Sequence, residues 1–184
     1  MIARSPAYAT IISRLQQGDS LLDVGCFIGH DLRRLLFDGA PSNNLFAVDI
    51  VSHWEVGYEL FRDADKFSAK FIETDIMNPN EELKSLEGRI DIISVTHVLH
   101  QWDWDDQVAA AKQLSSFSRP GTMVVGYQGG GLAGPKAVGG QTGAEYSTKL
   151  QNVESWKQMW DLVGKSTGTE WKSEAKLKTW TECG

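Results

Sequence analysis

Leu21-Leu22-Asp23-Val24-Gly25-Cys26-Phe27-Ile28-Gly29-His30 is an apolar run broken by glycines, and it leads into the helix-like stretch Asp31-Leu32-Arg33-Arg34-Leu35-Leu36-Phe37. A strand feeding a tight glycine turn that opens a helix presents bare backbone to a ligand, which is how nucleotide-like cofactors are held. The dinucleotide-binding fingerprint spaces its glycines as G-x-G-x-x-G so that a pyrophosphate rests on the helix N-terminus. Here Gly25 and Gly29 are four apart, Phe27 lies between them, and the carboxylate of Asp23 precedes Gly25 by two. An anionic pyrophosphate is badly served by that acid. A cofactor carrying positive charge suits it better.

The rest of the first half repeats the theme. Leu45-Phe46-Ala47-Val48-Asp49 is an apolar run ending in a carboxylate that could take both hydroxyls of a ribose. Lys70 to Ile76 ends in Asp75 followed by an apolar residue able to flank an adenine, and Ile90 to His97 is a fourth run. S-adenosylmethionine, with its ammonium and its sulfonium, answers to this set of acids. Between the runs the spacing predicts helices: Ser5-Pro6 opens one through Leu15, and others cover about 29 to 38 and 53 to 63. A short helix follows Asn78-Pro79-Asn80, a longer one runs from Trp104 to Phe117, and Arg119-Pro120-Gly121 turns into a fifth strand from Thr122 to Tyr127. This alternation predicts an α/β fold, a Rossmann-like doubly wound, mostly parallel sheet with helices on both faces and ligands at the carboxyl ends of the strands.

The motifs around Asp23, Asp49, Asp75 and the run ending at His97 resemble those of the class I S-adenosylmethionine-dependent methyltransferases over residues 18 to 128. A narrower resemblance, carried by Ala3 to Tyr8, Leu22 to Arg33 and His97 to Trp102, is to fungal O-methyltransferases of meroterpenoid and other secondary-metabolite clusters, in which a residue such as Phe27 replaces the usual third glycine. The resemblance implies that Asp23, Gly25, Cys26, Phe27 and Gly29 lie along the methionine part of S-adenosyl-L-methionine. It implies that Asp49 holds the ribose, that Asp75 and Ile76 meet the adenine, and that Ile50 and Thr96 complete the cofactor site. It further implies methylation of a hydrophobic small molecule, the carboxyl group of a prenylated polyketide acid. Against the family pattern the chain reads as shortened at the N-terminus and in the last strand. A degenerate cofactor-binding module acting through a partner chain or a dimer is the alternative.

Composition bounds the rest. A chain of 184 residues, 41% hydrophobic, is long enough for one domain spanning 1 to 184. A formal charge of −6 argues against nucleic acid as partner. Cys26 and Cys183 form no disulfide framework, and neither a membrane span nor a signal segment is visible, so a cytoplasmic location is expected.

His97 and His100, just after the fourth run, are the candidate catalytic groups, as a base or as substrate-orienting residues. Their spacing with Asp103 can be drawn as a metal site, but histidines in such turns more often bond to backbone, and no metal is expected. Asp103, Asp105 and Asp106 read as cap and first-turn acids of the helix that follows. Trp102, Tyr127 and Gln128 bring bulk to the same rim and are the candidate substrate contacts. Residues 129 to 143, rich in glycine, read as a loop. A helix bearing Trp156, Met159, Trp160 and Val163 follows, then an alternating stretch from Trp171 to Trp180 that predicts an edge strand. An unpaired edge there would invite pairing with a second copy as a homodimer.

Overall fold

A computed structural model describes residues 1–132, 136–138 and 148–178. The chain divides into two compact units, Met1–Thr96 with Ser116–Tyr127 and His97–Ser115 with Gln128–Gly184.

The first unit is built on α1 (Tyr8–Gln16), β1 (Leu21–Val24), α2 (His30–Phe37), β2 (Leu45–Asp49), α3 (Trp54–Phe61), β3 (Lys70–Glu73), α4 (Glu81–Lys84), β4 (Ile90–Val95) and β5 (Ser118–Val125). Its five strands are parallel in the order β3-β2-β1-β4-β5. The chain winds outward from β1 to β3 and then crosses to β4, which leaves β1 and β4 as neighbours at the switch point where such sheets bind ligands. All residues of β1 and β4 are buried, as strands enclosed on both faces must be. Alternation sends Leu21, Leu45, Ala47 and Ile92 into one core cluster with Ile11 and Leu15 of α1, Leu32 and Leu35 of α2, and Trp54 of α3. Each such fully buried Leu or Ile contributes about 1.5–3 kcal/mol relative to exposure.

Two local expectations change in this unit. Ser5 does not cap α1, which starts at Tyr8; its hydroxyl accepts the N–H of Ala7 in the turn before the helix. The Arg119-Pro120-Gly121 turn lies inside β5 as a bulge, because Ser118 pairs with Ile90 but Met123 with Ile92. Gly121 supplies the left-handed φ of 90° that the bulge requires.

Behind the glycine turn sits a buried cation. The Arg33 guanidinium reaches Asp63 at 2.7 and 3.1 Å, bonds the Ile28 carbonyl, and lies 4.3 to 5.6 Å from the ring centres of Phe67, Phe61, Tyr58 and Trp54. Gly57 in mid-α3 makes room for this arrangement, since a Cβ there would stand 2.6 Å from the Ile28 carbonyl oxygen and 3.0 Å from Arg33 Nη1. Helix propensity alone favours alanine at such a site by about 1 kcal/mol. Sterics reverse the sign. Gly57→Ala is expected to destabilise the chain by about 1–3 kcal/mol in urea unfolding, and an unchanged or raised midpoint would show that the turn yields instead.

The second unit carries α5 (Trp104–Phe117) up to Ser115, β6 (Lys136–Val138), β7 (Thr148–Leu150) and α6 (Val153–Thr167). Asp103 caps α5 as the sequence predicts, accepting the N–H groups of Asp105 and Asp106. The glycine-rich segment is more than a loop, for β6 lies within it and pairs antiparallel with β7. α6 opens on a reciprocal Asn152–Ser155 capping box and ends at Gly168 in the left-handed region.

The predicted edge strand does not form over residues 171–178, and its last two positions, Thr179 and Trp180, lie outside the described residues, as does Cys183. The alternation of Trp171 with charged neighbours has another cause. Trp171 folds back on Trp160, ring centres 4.8 Å apart, and donates its indole N–H to Thr169 at 2.8 Å, while Lys172 and Glu174 pair in solvent. The edge on which pairing with a second copy would rest is therefore not formed by these residues. Among the described residues no helix is long and apolar enough to cross a membrane.

Candidate active site

The turn after β1 visits the left-handed region three times, at Gly25, Phe27 and Gly29, with φ of 72°, 51° and 70°. Gly25 and Cys26 donate their N–H groups to the Val48 carbonyl at 2.9 and 3.4 Å, and Gly29 donates to the Cys26 carbonyl at 2.8 Å. For a residue with a Cβ this conformation costs about 1–2 kcal/mol, and at Phe27 two contacts offset it. Its N–H donates to Asp49 Oδ2 at 2.8 Å, and its half-exposed ring meets His53 edge-on at 4.9 Å. Phe27 thus holds a left-handed conformation that a glycine would adopt without strain.

Two buried aspartates at opposite ends of the sheet sit in opposite electrostatic surroundings. Asp91, at the start of β4, is held below the usual carboxylate range: burial works against this, but Ser20, through its N–H and hydroxyl, and the Arg119 guanidinium overcome it. Asp23, at the end of β1, is 4% exposed and its pKa is pushed up to about 7. Burial is the main cause, Ser94 opposes it, the charges of Asp31 and Asp49 add to it, and the amino terminus opposes it weakly. The same surroundings push the Cys26 thiol up, burial first and then Asp23 and Asp49, which favours the neutral thiol over the thiolate. Asp23 is thus a buried acid beside two others whose charge is poorly answered, the kind of perturbed group that marks a candidate ligand site.

Folded Asp23 takes its proton at about 7 against an ordinary 3.8, so between those values the folded chain binds more protons than the unfolded one. Its contribution to stability falls as pH rises through that window and is flat above it. A cationic ligand needs the ionised form, so its affinity should climb as pH rises toward about 7, with release of a proton, and then level off. Calorimetry with S-adenosylmethionine at about pH 5.5 and 8, in buffers of different ionisation heat, checks this. Equal affinities with no proton release would remove Asp23 as the counter-charge.

The other predicted cofactor residues of this unit stand at the same carboxyl edge. Asp49 also accepts the N–H of Ile50 at 2.8 Å, and Ile50 is 64% exposed, offering an apolar face. Asp75 uses Oδ1 to accept the Met77 N–H at 2.8 Å in a tight turn, and Ile76 is buried beside it. Thr96 Oγ1, just past β4, is buried with no hydrogen-bond partner among the described residues. A poorly answered carboxylate and an orphaned hydroxyl fit a cofactor that brings an ammonium, a sulfonium and ribose hydroxyls.

The second unit assembles a different group. His97 has a φ of 57°, uncommon for a side-chain-bearing residue, and its carbonyl accepts from Gln101 Nε2 at 2.8 Å. Its ring centre lies 5.5 Å from that of His100. His100 Nδ1 lies 3.3 Å from Gln128 Oε1 and accepts the Gly129 N–H at 3.2 Å. Burial, opposed by Gln128 and aided by His97, lowers the His100 pKa. The Trp102 carbonyl accepts from buried Gln107, whose Oε1 accepts from Gln151 at 2.5 Å. Tyr127 belongs to the first unit, at the end of β5.

Several participants escape a reading of the sequence. Arg33 looks like an exposed helix cation, Asp31 like a first-turn acid, and Gly129 like any loop glycine. Gly57, a glycine in mid-helix, is the one signal that a backbone passes close by.

Comparison with known proteins adds a family and a fold. The profile of the family described as methyltransferase domain matches residues 3–181. The O-methyltransferase phiE of Fungal sp. (strain ATCC 74256) is 40% identical over 91% of this chain and 57% of its own length. The asnovolin E/chermesin D methyltransferase nvfJ of Aspergillus novofumigatus is 36% identical over 92% of this chain and 62% of its own. The chain thus spans under two thirds of the curated relatives it matches. A Burkholderia thailandensis 1,6-didemethyltoxoflavin-N1-methyltransferase, solved with S-adenosylhomocysteine, shares the fold at a TM-score of 0.63 and 16% identity, over 88% of this chain and 68% of its own.

Proposed function

The chain belongs to the methyltransferase-domain family, and from that premise we propose that it is an S-adenosylmethionine-dependent O-methyltransferase of secondary-metabolite biosynthesis. The acceptor in this reading is the carboxyl group of a hydrophobic, prenylated polyketide acid of the meroterpenoid kind. The observation that carries the O-methyltransferase reading is the 40% identity to an O-methyltransferase over 91% of the chain.

When bound, the cofactor supplies a methyl group on a positively charged sulfur. The chain's part is to bind, orient and exclude water. In this proposal Asp23 answers the cofactor's positive charge, and the turn from Gly25 to Gly29, with Cys26 and Phe27, lies along its methionine part. Asp49 accepts from the ribose with its remaining lone pairs, Ile50 and Ile76 flank the adenine, Asp75 accepts from its amino group, and Thr96 bonds the amino-acid end. In the second unit His97, His100, Trp102 and Gln128 orient the acceptor, and in the first unit Tyr127 is a further candidate substrate contact.

The test is methyl transfer from labelled cofactor to a farnesylated aromatic acid, with its methyl ester, bearing a free phenol, as competitor. A labelled methyl ester is expected. Transfer to the phenol alone would overturn the carboxyl assignment, and no transfer to either, with the cofactor bound, would overturn the acceptor class.

A further inference from the structure

We propose that the backbone N–H of Gly129 fixes the neutral imidazole of His100 as the Nε2–H tautomer, making it a hydrogen-bond donor that selects a carboxylate acceptor, and not a general base for a hydroxyl. This rests on the methyltransferase reading above and deepens it by assigning the acceptor's chemistry to one atom.

The geometry is local to one unit. Gly129 points its N–H at His100 Nδ1 at 3.2 Å, and a main-chain N–H can only donate. A proton on Nδ1 would face that hydrogen directly. Gln128 Oε1, 3.3 Å from Nδ1, would favour the opposite tautomer, but its amide sits on a rotatable side chain and already accepts the His100 N–H at 3.4 Å. The fixed donor therefore decides. The position is also tight: a Cβ on residue 129 would lie 3.1 Å from Leu150 Cδ2 and 3.5 Å from His100 Cγ, so the glycine keeps its N–H seated on the ring.

With Nδ1 occupied, a neutral His100 carries its proton on Nε2, which has no partner among the described residues. Burial is the first cause keeping the ring neutral, Gln128 opposes it, and His97 is the described titratable group whose charge adds to it. An Nε2–H group can donate to one oxygen of a carboxylate. The other oxygen forms the new C–O bond as the methyl C–S bond breaks, the electron pair goes to sulfur, and no proton needs a destination. A phenol or alcohol would have to lose a proton, and Nε2 already holds one.

The tautomer is read directly by nitrogen-15 NMR of the full chain, with the His100 signals assigned by their loss in His100→Gln. Protonated Nε2 and bare Nδ1 at neutral pH are expected; a protonated Nδ1 would overturn the inference. Turnover gives the second arm. An amide Nε2 stands where the imidazole donor stood, so His100→Gln should slow methylation of the acid by less than about tenfold, while His100→Ala should slow it by about 10- to 100-fold. Equal losses, with a wild-type rate that rises through the imidazole pKa, would identify a base and overturn the inference. Should no acid be methylated although the cofactor binds, the functional reading fails, and the NMR arm still decides the tautomer.

Discussion

Replacing Asp49 with alanine is expected to weaken S-adenosylmethionine binding by roughly two to four orders of magnitude while the chain stays folded. The proposed ribose contact consists of two charge-assisted hydrogen bonds, each worth about 1.5–3 kcal/mol. The same carboxylate bonds the Phe27 and Ile50 N–H groups at 2.8 Å each, so its loss also frees the turn at the residue where a glycine would be easiest. The fold has little at stake, for Asp49 ends β2 and makes no ion pair among the described residues. Calorimetry measures the affinity and urea unfolding the stability. Unchanged affinity would remove Asp49 from the cofactor site. A second variant separates the two effects: Phe27→Gly should relax the turn without touching the carboxylate, and should leave cofactor affinity within about tenfold of the parent.

The second large effect is on stability. Arg33→Met should cost about 2–4 kcal/mol, because it removes a buried cation and leaves the partly buried Asp63 carboxylate without its partner. The Arg33 side chain is 6% exposed and that of Asp63 18%. The variant also strips the Ile28 carbonyl of its donor and four aromatic rings of the cation they surround. The loss should appear as a lower urea midpoint with an unchanged slope. The double variant Arg33→Met with Asp63→Leu should recover part of it, since no lone charge then remains buried. A loss below about 1 kcal/mol in the single variant would mean that the rings and the helix hold the turn unaided.

The five strands were legible because each is an apolar run bounded by turn residues, and their parallel pairing follows once helices alternate with them, while their order β3-β2-β1-β4-β5 was decided by the tertiary structure. The acids at positions 23, 49 and 75 were legible for the same reason, being the last polar residues of those runs. Reading failed where a pattern has two physical causes. Alternation from Trp171 looked like a strand, but a tryptophan that finds a partner ring needs no sheet. Glycine density from residue 129 looked like pure loop, yet the short strand β6 interrupts it, paired with β7 beyond it.

Local sequence by itself determined the fold class, the glycine turn and the row of acids, since periodicity and turn chemistry act over a few residues. Only the tertiary structure decided what those residues do to each other. It buried Asp23 within reach of the charges of Asp31 and Asp49, placed Arg33 beneath the turn through Gly57, and set the Gly129 N–H against His100. Burial, charge proximity and the direction of an N–H depend on segments far apart in the chain, and no local pattern encodes them.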